Sequence, residues 1–304
     1  MHSLPIVSVV IPAFSRPKAL RACLDGVAGS SWDTGHIEVI VVDDGSPDSL
    51  DPIGEDFRDR LSIRTLHQKN SGPASARNAG AAAARGRFLA FIDDDCIPGP
   101  SWLRSLVETL EASPDVLAGG PVVNGLPGDP YATASQSIAT FVAAHYADGR
   151  GTERFFTTNN FTLSAKRFND MGGFDTSIPS QTAEDKEFCD RWRENGYQMV
   201  WIPEAVIHHA HALTLWRFVR QHFDYGRGIL AFRLMRLRRS GGRFFPEPLS
   251  FYFRLILHPF GRERLPAALR LMILLAISQA ATAAGALFAA LGLDRTKRQR
   301  NTCV

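Results

Sequence analysis

Three consecutive carboxylates, Asp93, Asp94 and Asp95, form the stretch of this 304-residue chain that is best suited to chemistry. They follow the apolar run 88–92, which is typical of a buried strand. Like charges crowded at the end of one strand repel one another unless a cation holds them together. Mg²⁺ and Mn²⁺ prefer oxygen ligands, and Mg²⁺ is commonly shared between carboxylates and substrate phosphates. By itself the stretch fits two interpretations equally well, a divalent-cation site and an acidic turn exposed to solvent.

Alternating strands and helices are the elements that would position these acids. The predicted strands are 6–11, 38–42, 61–66 and 88–92. One predicted helix is 16–27, and an Ala-rich helix is predicted after the turn residues that open the segment 70–86. Such alternation predicts βαβ units and a parallel sheet, in which ligands bind beyond the carboxyl ends of the strands. Polar residues follow three of the four strands, at Arg16, at Asp44 and at the three acids. We therefore expect one ligand site along that edge, although a turn with a helix N-cap would also explain Asp44.

Composition excludes several classes of protein. The chain is 45% hydrophobic and 21% charged, which is ordinary for a globular protein, and its net charge of +3 is too small to indicate nucleic acid as a partner. Four cysteines without paired spacing argue against a disulfide framework or a zinc site. Neither GxGxxG after the first strand nor GxxxxGK[ST] occurs, so we expect phosphates to be held by a metal or by side chains.

Four segments together carry a family resemblance. The chain resembles the family-2 glycosyltransferases of the GT-A fold in VSVVIPAFSRP (7–17), EVIVVDDGSPD (38–48), NSGPASARNAG (70–80) and FIDDDCIP (91–98). The resemblance implies an α/β fold, Rossmann-like, with a mostly parallel central sheet flanked by helices. It also implies a nucleotide-diphospho-sugar donor (a UDP-, GDP- or dTDP-sugar) and a divalent cation, Mn²⁺ or Mg²⁺.

The resemblance assigns the donor to residues at the strand ends. Pro12 and Phe14 would flank the base, and Asp44 would hydrogen-bond it. Arg77 would contact the nucleotide, and Asp93 would bind the ribose or the metal. The complete predicted nucleotide-sugar-binding set is Pro12, Phe14, Arg16, Asp44, Arg77, Asp93 and Asp94.

The predicted metal ligands are Asp95, Asp93 and a histidine. In the family a histidine downstream often completes the metal site or contacts the diphosphate, and this chain has His208, His209 and His211 in that region. We expect His209 to take this role, with His211 as the second choice. A cluster of exposed histidines without a role is the alternative.

Glu184 and Asp185 are the predicted catalytic residues. They begin a predicted helix, where the macrodipole favours acids for purely electrostatic reasons. By resemblance they match the family's acidic ED motif, so Asp185 would be the general base and Glu184 would orient the acceptor. Arg191 and Trp192 match the end of the QxxRW signature of processive members, but Phe188 stands in place of its glutamine. The departure predicts transfer of a single sugar.

The C-terminal part is predicted to attach the chain to a membrane. The predicted domains are a catalytic domain, 1–230, with a nucleotide half to about 100 and an acceptor half from 101, and a region 231–304 with a hydrophobic helix at about 265–293. Residues 233–243 are basic and interleaved with apolar residues, which favours an anionic membrane surface. Residues 271–293 lack charge and as a helix would measure about 35 Å, enough to cross a core of about 30 Å. Spanning, in-plane or re-entrant insertion and burial in a soluble core all remain open.

The predicted function is metal-dependent, inverting transfer of one sugar to an acceptor hydroxyl of a glycan or lipid-linked acceptor, in cell-envelope synthesis. Because nucleotide sugars are cytoplasmic, we expect the catalytic domain on the cytoplasmic face of the membrane. One alternative is a nucleotidyltransferase, which would need a glycine-rich first loop, whereas residues 12–16 contain no glycine. Another is a non-catalytic module that binds glycan or assembles a membrane complex, and the presence of both acidic motifs counts against it.

Overall fold

The computed structural model describes residues 6–146, 155–178, 182–240 and 247–293. The chain forms two compact units, each built from several segments. Unit 1 comprises Met1–Gly125, Tyr146–Thr176 and Phe188–His211, and unit 2 comprises Leu126–His145, Ser177–Glu187 and Ala212–Val304. The predicted division into a catalytic domain, 1–230, and a membrane-associated region, 231–304, stays a prediction.

Strands form two sheets in unit 1. In the described residues the strands are β1 (Val7–Ala13), β2 (Ile37–Asp43), β3 (Ser62–His67), β4 (Phe88–Phe91), β5 (Cys96–Pro98), β6 (Leu117–Gly119), β7 (Val122–Asn124), β8 (Phe161–Ser164), β9 (Met199–Trp201) and β10 (Ile207–His209). The large sheet has the order β3-β2-β1-β4-β8-β6-β9, and the small sheet has the order β5-β10-β7.

The large sheet confirms the predicted fold class. All its neighbouring strands are parallel except at β8, which runs antiparallel to both β4 and β6. Chain order reverses between β1 and β4, because β2 and β3 lie on one side of β1 and β4 lies on the other. In open α/β sheets the crevice outside the carboxyl ends at such a reversal is the usual ligand site.

β1 is longer than the sequence predicts. The apolar run was expected to stop at Pro12, but the strand pairs with β2 through Pro12 and Ala13. Val10 accepts a hydrogen bond from the backbone N–H of Ile92, so its polar groups face β4, and Pro12, two residues later, faces the same way. Pairing with β4 ends at Val10, so β4 offers no hydrogen-bond partner at position 12. The missing N–H of Pro12 therefore costs the sheet no hydrogen bond.

Both faces of the large sheet are covered by apolar side chains, which explains the continuous apolar runs of β1 and β2. On one face the sheet packs against helices that follow β1 and β5. On the other face Phe91 contacts the rings of Phe161, Phe168 and Phe174 at centroid distances between 5.2 and 5.6 Å. Phe188 joins the same cluster, at 5.2 Å from Phe174.

Helices pack on the sheets within unit 1 and form most of unit 2. In the described residues they are α1 (Pro17–Ala28), α2 (Asp51–Glu55), α3 (Pro73–Ala83), α4 (Trp102–Ala112), α5 (Pro130–Tyr146), α6 (Ala165–Asp170), α7 (Glu184–Glu194), α8 (Leu215–Ser240), α9 (Leu249–Leu257) and α10 (Leu265–Ala290). The segment 70–86, predicted to open with turn residues and continue as a helix, forms α3 directly after Gly72, with Pro73 as its first residue.

Two short neighbouring strands, β6 and β7, belong to different sheets. β6 ends at Gly119 and β7 begins at Val122. Gly120 lies so close to the backbone of Ile202 and Ala205 that a side chain would clash there. The glycine therefore allows the chain to leave the large sheet and enter the small one.

Two long helices, α8 and α10, dominate unit 2. α10 packs on α8 more extensively than on any other helix. At their crossing the two glycines are reciprocal, since a methyl group on Gly226 would overlap the carbonyl of Thr282 and one on Gly285 would overlap the carbonyl of Phe223. Among the described residues, α10 alone is long and apolar enough to cross a membrane by length and composition, and one third of its most apolar window is buried.

Candidate functional site

The three acids lie in the turn that joins β4 to β5. The backbone N–H of Cys96 donates to the carbonyl of Asp93 at 3.0 Å, which closes the turn. Asp94 and Asp95 are buried, whereas one quarter of the Asp93 side chain is exposed. The turn thus presents its carboxylates at the carboxyl end of β4, at the edge where the order of strands reverses.

The small sheet brings two histidines to Asp95. β10 pairs with β5 so that His209 lies opposite Cys96, and the N–H of Ala210 donates to the carbonyl of Asp95 at 2.8 Å. His209 Nε2 is 3.3 Å from Asp95 Oδ1, and His211 Nδ1 is 2.9 Å from Asp95 Oδ2. One ligand atom from each of these residues lies within 4.8 Å of the other two, so the three could hold a metal ion.

The surroundings of Asp95 in this cluster favour its anionic form. Burial opposes ionisation, but hydrogen bonds from His209 and His211 hold the pKa of Asp95 well below its usual range. Burial lowers the pKa of His209, yet the contact with Asp95 raises it overall. The cluster is therefore a buried carboxylate with two imidazole partners, a mixed oxygen and nitrogen donor set that suits a divalent transition metal such as Mn²⁺.

Arg16 neutralises the remaining negative charge. It precedes α1, and its guanidinium lies 2.5 Å from Asp94 Oδ1 and 2.5 Å from Asp95 Oδ2. Burial raises the pKa of Asp94 to about 7, with Asp95 and Asp93 adding to the rise and Arg16 opposing it. A guanidinium in this position is suited to bind phosphate oxygens as well as the acids.

Asp93 and Arg77 form a separate pair. Arg77 Nη2 lies 2.6 Å from Asp93 Oδ1, and only 3% of Arg77 is exposed. Arg77 is therefore not a solvated charge on the surface of α3. The metal set predicted from the sequence was Asp95, Asp93 and His209, whereas the structure groups Asp95 with His209 and His211 and places Asp93 against Arg77.

The ends of β1 and β2 form the predicted nucleotide edge. Phe14 is 43% exposed directly after β1, while Pro12 is buried within the strand. Asp44 is buried and accepts N–H groups from Ser71 at 2.8 Å and Gly72 at 2.7 Å, so it holds the loop that leads into α3. An exposed aromatic ring beside ordered backbone is an arrangement on which a planar base can stack.

Gln68 and Asn78 are residues of this edge that the sequence did not single out. Gln68 donates to Asp44 Oδ1 at 2.7 Å. Asn78 makes a reciprocal pair with Phe174, donating to its carbonyl at 2.8 Å and accepting its N–H at 2.9 Å. Asn78 lies one residue after Arg77, so the match to ARN in the sequence was the signal that could have identified it.

Glu184 and Asp185 occupy the first turn of α7, as predicted. Glu184 is buried and Asp185 is half-buried, and the Asp185 carboxylate accepts the N–H of Lys186 at 2.7 Å. This geometry is compatible both with capping of the helix by acids and with a reactive carboxylate.

Arg191 and Trp192 lie further along α7 in structural positions. Trp192 is completely buried and donates its indole N–H to the carbonyl of Gln198 at 2.9 Å. Arg191 donates to the carbonyls of Met171 and Gly173 and thereby holds the turn after α6. The contacts of these two residues, which were weaker candidates for the site, are those of packing and loop support.

Comparison with known proteins identifies related chains. The family model described as Glycosyl transferase family 2 matches residues 8–175, more than half of the chain. Glycosyltransferase AglE of Haloferax volcanii is 28% identical over 229 residues, covering 74% of this chain and 73% of that protein. The pre-mycofactocin glycosyltransferase of Mycobacterium tuberculosis is 30% identical over 234 residues, covering 72% of this chain but only 46% of that protein.

Among solved structures, the mannosyltransferase PcManGT from Pyrobaculum calidifontis, in complex with GDP-Man and Mn²⁺, has a similar fold. The TM-score is 0.65 with 18% sequence identity, and the alignment covers 95% of this chain and 88% of that one. At this identity the likeness is one of fold.

Proposed function

The chain belongs to glycosyl transferase family 2, and from this premise we propose that it moves a single sugar from a nucleotide-diphospho-sugar to an acceptor hydroxyl with inversion and with the help of a divalent cation. That it is a glycosyltransferase follows from its family. The observation that carries the rest of the proposal is the cluster of Asp95, His209 and His211 at the edge of the sheet where the order of strands reverses.

The reaction first requires that the negative charge on the donor diphosphate be offset. Asp95, His209 and His211 would hold Mn²⁺ or Mg²⁺, which when bound would offset the charge that develops on the leaving diphosphate. Arg16 reaches the same carboxylates and can turn to a phosphate oxygen, and its partial exposure leaves it room to do so. Support for a cation also comes from PcManGT, which was solved with Mn²⁺ and GDP-Man.

The nucleotide would bind along the ends of β1 and β2. Phe14 offers an exposed ring to the base, with Pro12 beneath the same edge. Asp44 keeps lone pairs beyond the backbone N–H groups that it already accepts, so it can also receive a hydrogen bond from the base. Arg77, neutralised by Asp93, would lie beside the ribose and phosphates. These contacts suit a UDP-, GDP- or dTDP-sugar.

Proton removal from the acceptor is the role we assign to Asp185. The acceptor oxygen would form a bond to the anomeric carbon while the bond from that carbon to the diphosphate breaks, and the hydroxyl proton would pass to the Asp185 carboxylate. A single displacement of this kind inverts the anomeric configuration. Glu184, which is buried and precedes Asp185 in the first turn of α7, would orient the acceptor.

Transfer of one sugar rather than of many is favoured by Phe188. Where processive members carry a glutamine, this chain has a phenylalanine that packs in the aromatic cluster of unit 1. For the acceptor we propose a glycan or lipid-linked hydroxyl of the cell envelope, reached from the cytoplasmic face of a membrane to which the C-terminal helices attach the enzyme. The exposed apolar length of α10 supports this attachment.

The proposed metal site is tested by titrating Mn²⁺ and nucleoside diphosphates into the protein by calorimetry. We expect GDP or UDP to bind in the presence of Mn²⁺, and Asp95→Asn to weaken that binding about 10- to 100-fold, because the substitution removes the only carboxylate of the cluster. Asp59→Asn, the same change on an exposed loop, should bind as the wild type does.

Unchanged binding in Asp95→Asn would refute the metal assignment. A thermal-shift screen of nucleotide sugars with Mn²⁺ would then identify the donor, since a ligand that binds only the folded state raises the midpoint by mass action. Release of pyrophosphate from a nucleoside triphosphate, without sugar transfer, would instead favour a nucleotidyltransferase.

A further inference from the structure

The outer faces of α9 and α10 expose a continuous series of large apolar side chains. On α9 these are spaced four residues apart, and the series continues through the connection into α10: Leu249, Phe253, Leu257, Phe260, Leu265, Leu269 and Ile273. Spacing of three or four residues places side chains on one face of a helix. Leu249 is 76% exposed and Phe253 is 65% exposed, so this face meets solvent with its largest groups.

This pattern is the reverse of that in a soluble amphipathic helix. α10 buries Ala268, Leu271, Leu275 and Ser278 along one stripe, and the opposite face is almost entirely Leu, Ile and Ala. A soluble helix would carry charged residues there. A single exposed leucine is ordinary, but a contiguous apolar face of this length marks an interaction surface.

Positive charge borders the apolar face. Between residues 249 and 293 the charged residues are Arg254, Arg262, Glu263, Arg264 and Arg270, and all five are exposed. Four of the five are arginines, and they stand beside the exposed leucines and phenylalanines of the α9–α10 connection. Apolar groups flanked by arginine match the acyl chains and anionic headgroups of a lipid bilayer.

The partner of α10 argues against a transmembrane course. α8, which meets α10 at Gly226 and Gly285, carries eight charged side chains in 26 residues. A spanning α10 that kept this packing would draw α8 into the hydrocarbon, where charged side chains are strongly disfavoured. An α10 that lies in the plane of the interface keeps α8 in water.

We propose that α9 and α10 together bind the surface of an anionic lipid bilayer, with α10 lying in the plane of the interface rather than crossing it. The proposal deepens the membrane attachment included in the proposed function. It concerns the mode of attachment and is independent of the donor and of the transfer chemistry. Leu257, Phe260, Leu269 and Ile273 would enter the acyl region, and Arg262, Arg264 and Arg270 would contact lipid phosphates.

Vesicle flotation of the full-length protein tests the surface. The probes are vesicles of phosphatidylcholine alone and vesicles that also contain about 30% phosphatidylglycerol. The anionic lipid provides a negative surface potential. We expect binding to the anionic vesicles, weakened by salt, and a loss of about tenfold or more in Leu269→Glu and Ile273→Glu. The matched control is Leu215→Glu, which alters a similarly exposed leucine on α8.

Protease access to the two ends of the chain tests the topology. An epitope placed after Val304 and another before Met1 should both be cleaved when protease is added to the side of sealed vesicles on which the protein was bound. A C-terminal epitope that resists protease until detergent is added would show a spanning helix and overturn the proposal.

Two further results would also overturn it. The first is equal vesicle binding by wild type and both glutamate variants. The second is a dimer in solution that Leu269→Glu dissociates while vesicles do not bind, because the surface would then belong to a second copy of the chain. Melting temperature and binding of Mn²⁺ with a nucleoside diphosphate should be unchanged in the glutamate variants, which separates a failure of this proposal from a failure of the proposed function.

Discussion

Strand geometry distinguishes the three histidines of the candidate metal site. Because side chains of a strand alternate between faces, His209 at the end of β10 turns to Asp95 while His208, one residue earlier, is exposed. His211 follows the strand and returns to the same carboxylate, with its ring stacked against that of His209 at 5.2 Å. The sequence predicts a histidine here but gives no register for a strand of three residues, so the structure was needed to distinguish them.

Replacing each histidine with glutamine should separate their roles. We expect His209→Gln and His211→Gln to weaken Mn²⁺ binding about 10- to 100-fold in calorimetric titrations, the range for loss of a supporting ligand. His208→Gln is the control, since the exposed neighbour has no contact with Asp95 in the described structure. If all three variants bound Mn²⁺ alike, the histidines would not be ligands.

Asp185 tests the catalytic half of the proposal. Asp185→Asn should leave donor binding intact and reduce sugar transfer by about two decades or more, because an amide cannot accept the proton of the acceptor. Rates of transfer and calorimetric donor binding would be measured on the same preparation. Glu194→Gln, at the opposite end of α7, controls for changes to the helix itself. Transfer at the wild-type rate in Asp185→Asn would exclude this residue as the base.

At the scale of elements, the sequence predicts the strands of the parallel half of the large sheet and misses the small sheet. β1, β2 and β4 are continuous apolar runs, and such runs have a physical cause in burial on both faces. β5, β7 and β10 have three residues each, which is too short for any periodicity to emerge. The residues that complete the candidate metal cluster lie on these short strands or directly after them.

The crossing of α8 and α10 can be tested by adding a methyl group. Gly226→Ala and Gly285→Ala should each lower the free energy of unfolding by about 1–3 kcal/mol, because the new carbon meets a backbone carbonyl of the facing helix. Helix propensity alone would change stability in the opposite direction, by about 1 kcal/mol. Denaturant unfolding measures the difference, and Gly128→Ala, at an exposed position with open space, is the control. A gain in stability in both variants would exclude the close crossing.

At the scale of the whole molecule, stability should fall in acid because of a buried histidine. His222 on α8 is 3% exposed, and its Nε2 has no hydrogen-bond partner among the described residues. Burial lowers the pKa of His222 from 6.5 to about 4. Below about pH 6.5 His222 therefore binds a proton in the unfolded chain but stays neutral in the folded chain. The contribution of neutral His222 to the free energy of unfolding is complete above pH 6.5 and is lost as the pH falls towards about 4.

The magnitude of this loss is about 3 kcal/mol across that interval, at about 1.4 kcal/mol per unit of pKa. Unfolding by urea at pH 7, 6, 5 and 4.5 would measure it, with His222→Phe as the variant that cannot be protonated. The difference in stability between the two proteins should shift in favour of the variant as the pH falls. His208→Phe, an exposed change of the same kind, provides the control. Parallel pH profiles for wild type and His222→Phe would contradict the prediction.

Many elements of the fold can be predicted from neighbouring residues in the sequence, but the division into two units cannot. Unit 2 draws on three separate segments, and a reading from one end of the chain to the other has no local signal for such an exchange. The α9–α10 face illustrates the same limit, because its apolar composition is evident from sequence but spanning, in-plane and buried courses fit that composition equally. From the packing of α10 on the charged α8 we infer the in-plane course proposed above.

The contact between His211 and Asp95 joins residues 116 positions apart, and this separation has a consequence for the order of assembly. During synthesis the acids emerge long before the histidines, whereas Arg16 and Arg77, which contact the acids in the folded chain, precede them in the sequence. The two arginines would thus offset the charge of the acids while β4 folds next to β1, and they still contact the acids in the folded chain. Because closing so long a loop costs conformational entropy, we expect the candidate cation site to be completed late in folding.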